Sequence, residues 1–83
     1  MNIPRISVDF QNCDPWGRVR LTTVGTAQDL SRLGVILRPG LALFLYCDEL
    51  EAEGEVLYSE EEHIWVAKID LNAIRTRGSS KEI

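Results

Sequence analysis

Leu41-Ala42-Leu43-Phe44-Leu45-Tyr46-Cys47 is the stretch on which the fold turns, because every one of its positions is apolar. Such a run, too short for a buried helix, predicts a strand covered on both faces in the middle of a sheet. Arg38-Pro39-Gly40 launches it: Pro presets φ at the first central position of a tight turn, and Gly accepts the positive φ of the second. Downstream, about Gly54 to Ser59 and Ile64 to Asp70 read as two further strands joined across Glu60-Glu61-Glu62. In the last of these Trp65, Ala67 and Ile69 point one way, toward the expected dry face.

Upstream, Ile6, Val8 and Phe10 alternate with Ser7, Asp9 and Gln11, the period of a half-buried strand. Asn12-Cys13-Asp14-Pro15-Trp16-Gly17 concentrates turn formers, so the chain reverses and a second strand returns through Val19 and Leu21. A hairpin centred on that loop sets Asp9 opposite Arg20 and Phe10 opposite Val19. One helix signal follows. Thr26 with Asp29 reads as a capping pair for a helix from Ala27 to Leu33, and Gly34 supplies its left-handed end. Asp70 caps a single turn through Leu71 to Ile74.

The 83 residues suffice for one core only, giving one domain over 1–77 and a polar tail over 78–83 expected to fray. Five short strands, one inserted helix and a closing C-terminal turn predict a mostly β fold, a small barrel whose closure hides its edges. Gly40 opening an apolar strand, Gly54-Glu55-Val56 opening the next, Trp65-Val66-Ala67 in the strand after it and the closing turn resemble the five-stranded SH3-like barrel. The phrase from Trp65 to Ile74 resembles the ending of short uncharacterised bacterial proteins. The N-terminal hairpin and the helix depart from SH3 domains, and the aromatic pattern of their proline-peptide groove is absent, so the resemblance speaks for fold and not for peptide specificity.

Apolar residues make up 45% and charged residues 27%, the usage of a chain that folds. No apolar run is long enough to span a bilayer, and Met1-Asn2-Ile3-Pro4-Arg5 lacks the layout of a secretory signal, so a cytoplasmic protein without a membrane is expected. Cys13 and Cys47 form no C-x-x-C pair and read as reduced thiols, the alternative being a disulfide if the fold brings their Cα atoms within about 7 Å. The lone histidine, His63, sits on a turn beside glutamates, with no arrangement for a nucleophilic triad or a metal site. No phosphate-binding glycine loop or G-x-S-x-G is present. The expectation is a non-catalytic protein with no cofactor and no metal.

Charge and aromatics carry what remains. Between Asp48 and Glu62 lie eight acids and no Lys or Arg, and the chain's formal charge is −4. An acidic face of that kind steers a basic partner and disfavours nucleic acid. Trp16, on its turn, is either core or interface anchor. The partner-binding candidates are therefore Trp16, Asp48, Glu49, Glu51, Glu53, Glu61 and Glu62, in a protein-interaction module or accessory subunit. The alternative is a binder of small molecules or single-stranded RNA that uses the aromatic residues with Arg18, Arg20, Arg75 and Arg77.

Overall fold

A computed structural model describes residues 3–76, and the 78–83 tail lies outside the described residues. The elements are β1 (Arg5–Ser7), β2 (Val19–Arg20), α1 (Val24–Leu33), β3 (Ala42–Cys47), β4 (Leu50–Ser59), β5 (Ile64–Ile69), a 3-10 turn (Leu71–Ala73) and β6 (Arg75–Thr76). The fold is mostly β, a six-stranded sheet in the order β1-β3-β4-β5-β2 with β6 also paired to β4.

The apolar Leu41–Cys47 run becomes β3, an interior strand with β1 parallel on one side and β4 antiparallel on the other. Leu43 and Leu45 are fully buried, whereas Ala42 is exposed and Phe44 and Tyr46 are half-buried, so the expected cover on both faces is corrected to one dry face. Leu43 and Leu45 join Ile6, Val8, Val19, Leu21, Val56 and Ala67 in one core, against which Trp65 and Ile69 pack, so the Trp65 side of β5 is the dry one as expected. Gly54 faces the same interior. A Cβ there would lie 3.0 Å from both Ile69 Cγ2 and Leu45 Cδ1, so the close approach of β3 to β5 across β4 needs glycine.

The structure corrects the expected barrel, the first hairpin, the start of the helix and the start of β4. The sheet is not closed, so a barrel is not shown: β1 and β2 are its two ends and do not pair. The reason lies at Asp9–Asn12, where Asn12 N–H donates to Asp9 O (2.9 Å) and Gln11 N–H to Asp9 Oδ1 (2.9 Å). That turn ends the first strand, whose partner is β3 and not β2. Cys13, and not Phe10, lies opposite Val19.

The helix begins one turn early, because Thr23 is the N-cap and its Oγ1 accepts from Thr26 N–H (3.1 Å). Its end matches the expectation: Gly34 sits at φ 68, Gly34 N–H reaches Ser31 O and Val35 N–H reaches Leu30 O. Finally, β4 is ten residues long and starts at Leu50, within the stretch read as acidic loop. Only Asp48 and Glu49 turn between it and β3, with Asp48 at φ 53.

Candidate functional site

The most built surface feature is the loop that carries Trp16. Asp14 N–H donates to Arg18 O (2.8 Å) and Gly17 N–H to Asp14 O (3.0 Å), closing a three-residue hairpin loop with Gly17 at φ 82. The Asp14 side chain is buried and accepts three hydrogen bonds, from Trp16 N–H (3.0 Å), Arg18 N–H (2.8 Å) and Arg18 Nε (2.7 Å). Burial pushes this carboxyl up, but the Arg18 and Trp16 bonds together with the Arg18 charge outweigh it and hold it below the ordinary carboxylate range. Asp14 is thus an anionic peg around which the loop is wound.

Trp16 itself is 59% exposed, so it does not serve the core. The Arg18 guanidinium stacks over its ring at 5.2 Å, a cation–π contact that steadies one face of the indole and leaves the rest to solvent. Arg18 Nη2 also lies 3.6 Å from Glu61. Beside it, Arg20 clamps Glu62 through Nε and Nη2, both at 2.8 Å, while its Nη1 donates to Asn12 Oδ1 and Cys13 O. The Arg20 hydrogen bonds hold the Glu62 carboxyl below its usual range. Two arginine–glutamate pairs therefore tie the Trp16 loop to the β4–β5 turn.

That turn is itself ordered: His63 N–H donates to Ser59 O (2.7 Å), and Glu62 N–H to the buried Ser59 hydroxyl (3.2 Å). His63 takes a left-handed backbone at φ 59, which lets the chain leave the turn into β5.

The expected acidic face is divided. Asp48 and Glu49 occupy the β3–β4 turn, whereas Glu61 and Glu62 occupy the β4–β5 turn, at the other end of a strand that spans about 30 Å. Glu62 is committed to Arg20. Glu51 is buried between Arg75 Nε (2.9 Å) and Arg5 (3.8 Å), and both guanidiniums lie over the Phe44 ring. Glu53 remains exposed and, with Glu55, Lys68 and Asp70, lines an open cleft of about 400 Å³. Of the candidates, the fold brings together Trp16, Glu61 and Glu62.

Asp14, Arg18 and Arg20 build this site: Asp14 was not among the candidates, and Arg18 and Arg20 were named only for the alternative reading. The Asp-Pro-x-Gly turn signature marks Asp14 as a turn residue, but its carboxylate's reach to Arg18 needs the loop's coordinates. Arg18 and Arg20 do not form a basic patch with Arg75, which sits at the far end of β4; Arg77 lies outside the described residues. Cys13 and Cys47 are free thiols. Among the described residues no group of three or more His, Cys, Asp or Glu side chains is placed to hold a metal ion, and no helix is long and apolar enough to cross a membrane. No family model, curated protein or solved structure matches this chain.

Proposed function

We propose that this chain is a small non-catalytic interaction module that binds a protein partner of basic character through the Trp16 loop and the adjoining β4–β5 turn. One observation carries the reading: a large indole is held out in solvent by a loop whose conformation is fixed from beneath by the buried Asp14 carboxylate. A rigid exposed Trp loses little freedom on binding, and Trp is enriched among the residues that dominate interface energies. The net charge of −4 supports a basic partner, with Glu60 and Glu61 exposed on the neighbouring turn. The single turn after β5 fits the SH3-like resemblance, from which the open sheet and the parallel β1–β3 pairing depart.

The arginine–aromatic pair that an RNA or small-molecule binder would use is present as Arg18 over Trp16. Its guanidinium is already compensated by Asp14 and Glu61, as Arg20 is by Glu62, so little uncompensated charge faces a phosphate backbone.

Immobilised wild-type protein and the Trp16→Ala variant should be compared for partner capture, followed by titration of the partner identified. Removing an exposed side chain should leave thermal stability within about 0.5 kcal/mol of wild type. Loss of a hot-spot Trp should weaken binding by at least about 2 kcal/mol, roughly thirtyfold. The wild-type affinity should also fall as salt is added. Equal affinity of the two proteins for the same partner overturns the reading, as does salt-steep binding of an RNA oligomer with no protein retained.

A further inference from the structure

The only residues of α1 that are buried are polar: Thr26 and Asp29. An ordinary surface helix buries an apolar stripe, yet here Leu30 is merely half-buried against the core, and Val24, Ala27, Ser31 and Leu33 face solvent. The polar pair is aimed at a strand edge. In the parallel β1–β3 ladder, Phe44 N–H donates to Pro4 O and Val8 N–H to Tyr46 O, so the backbone groups of Ser7 point away from β3, toward the open side of the sheet. Both are met by the helix: Ser7 N–H donates to Asp29 Oδ2 (2.9 Å), and Thr26 Oγ1 donates to Ser7 O (2.5 Å). These are the two bonds a further strand would make.

The surroundings hold this arrangement in place. Tyr46 OH donates to Asp29 Oδ2 (2.9 Å), Arg32 Nη2 to Asp29 Oδ1 (3.1 Å), and Thr23 and Thr26 hydroxyls are 2.8 Å apart. Gly25 lets the helix approach, since a Cβ there would come within 3.1 Å of Ser7 Oγ.

We propose that α1 acts as a plug which imitates a strand at the outer edge of β1, and that the edge beneath it accepts β1 of a second copy of this chain once the plug is removed. The occupant follows from the geometry. An uncovered edge offers an N–H and a C=O at strand spacing, and an identical edge offers the same groups in return around a two-fold axis. The apolar burial an incoming strand would have to replace is small, the Thr26 methyl and the half-buried Leu30. This inference is independent of the Trp16 reading, because the two surfaces involve different residues.

The test is the solution mass of the full chain across a wide concentration range. Wild type should remain a 9.4 kDa monomer. The double variant Thr26→Val with Asp29→Ala should double in mass with concentration while keeping its β signal by circular dichroism. Adding Ser7→Pro, which removes the outward N–H from an edge position where Pro is tolerated, should return that variant to a monomer. A folded double variant that stays monomeric at every concentration overturns the proposal, and so does a dimer indifferent to Ser7→Pro. Should the double variant not fold, Thr26→Val with Asp29→Leu, which removes both bonds to Ser7 while keeping side-chain volume, is read the same way: mass doubling supports the plug, and a folded monomer overturns it.

Discussion

Asp14→Ala is expected to destabilise the protein by about 3 kcal/mol, the cost of breaking a buried ion pair while leaving its hydrogen-bond donors without an acceptor. Three donors lose their acceptor at once: the Trp16 amide, the Arg18 amide and Arg18 Nε. Of its two ion pairs, Arg18 would keep the longer one, to Glu61 at 3.6 Å. Chemical denaturation should show the loss in full, and the Trp16 emission should shift as the loop loosens. An unchanged midpoint would show that the buried carboxylate does not hold the loop.

The same residue sets a pH dependence. Its folded carboxyl titrates below the unfolded value of about 3.8, so its stabilisation is fully present above that pH and is lost as pH falls through the folded value. Asp29 acts in the same direction. Burial pushes it up, but the bonds from Tyr46, Ser7 and Arg32 together hold it low. The Asp14→Ala variant should therefore show a shallower acid decline than wild type, and not a flat one.

Leu45→Ala should cost about 3 kcal/mol, within the range for Leu-to-Ala changes at fully buried sites. Leu45 has no exposed surface and sits on β3, in register with Ala52 on one side and Ile6 on the other. A domain of this size has a total stability of roughly 4–12 kcal/mol, so the change removes a large part of it and should lower Tm by about 15 °C. Calorimetry checks this directly. Phe44→Leu makes a contrast: the ring is half-buried under two guanidiniums on the outer face, so its loss should cost less than half as much. Equal effects would mean that the two faces of β3 are equally dry.

That contrast shows what the chain's pattern reveals. Leu41–Cys47 was readable as an interior strand because no polar residue interrupts it, and Gly34, Gly40 and Asp70 were readable as punctuation because each does local work that its neighbours cannot. The partner of β1 was not readable. Period-two alternation says which side of a strand is dry and nothing about which strand lies beside it, and one turn at Asp9–Asn12 redirects Ile6 from β2 to β3. The first half of β4 was hidden because Glu51, Ala52, Glu53 and Gly54 are poor strand formers, although their alternation was present.

The candidate site was legible in Trp16 and obscure in the acids. Eight carboxylates within fifteen residues look like one negative face, yet a strand of ten residues spreads them between its two ends, and Glu51 and Glu62 are each claimed by an arginine from a distant part of the sequence. Sequence distance conceals such pairs: Arg20 and Glu62 meet only because β2 lies beside β5.

The parallel pairing of β1 with β3 also dictates an order of events while the chain is being made. Hairpins β3–β4 and β4–β5 close between neighbours, whereas Ile6 lacks its strand partner until Leu45 has been synthesised and folded back. A nascent chain halted before Cys47 therefore carries its first strand with the inner edge unpaired. In pulsed hydrogen exchange during refolding, the Val8 amide, which donates to Tyr46 O, should gain protection after those of β4 and β5, and simultaneous protection would contradict this sequence.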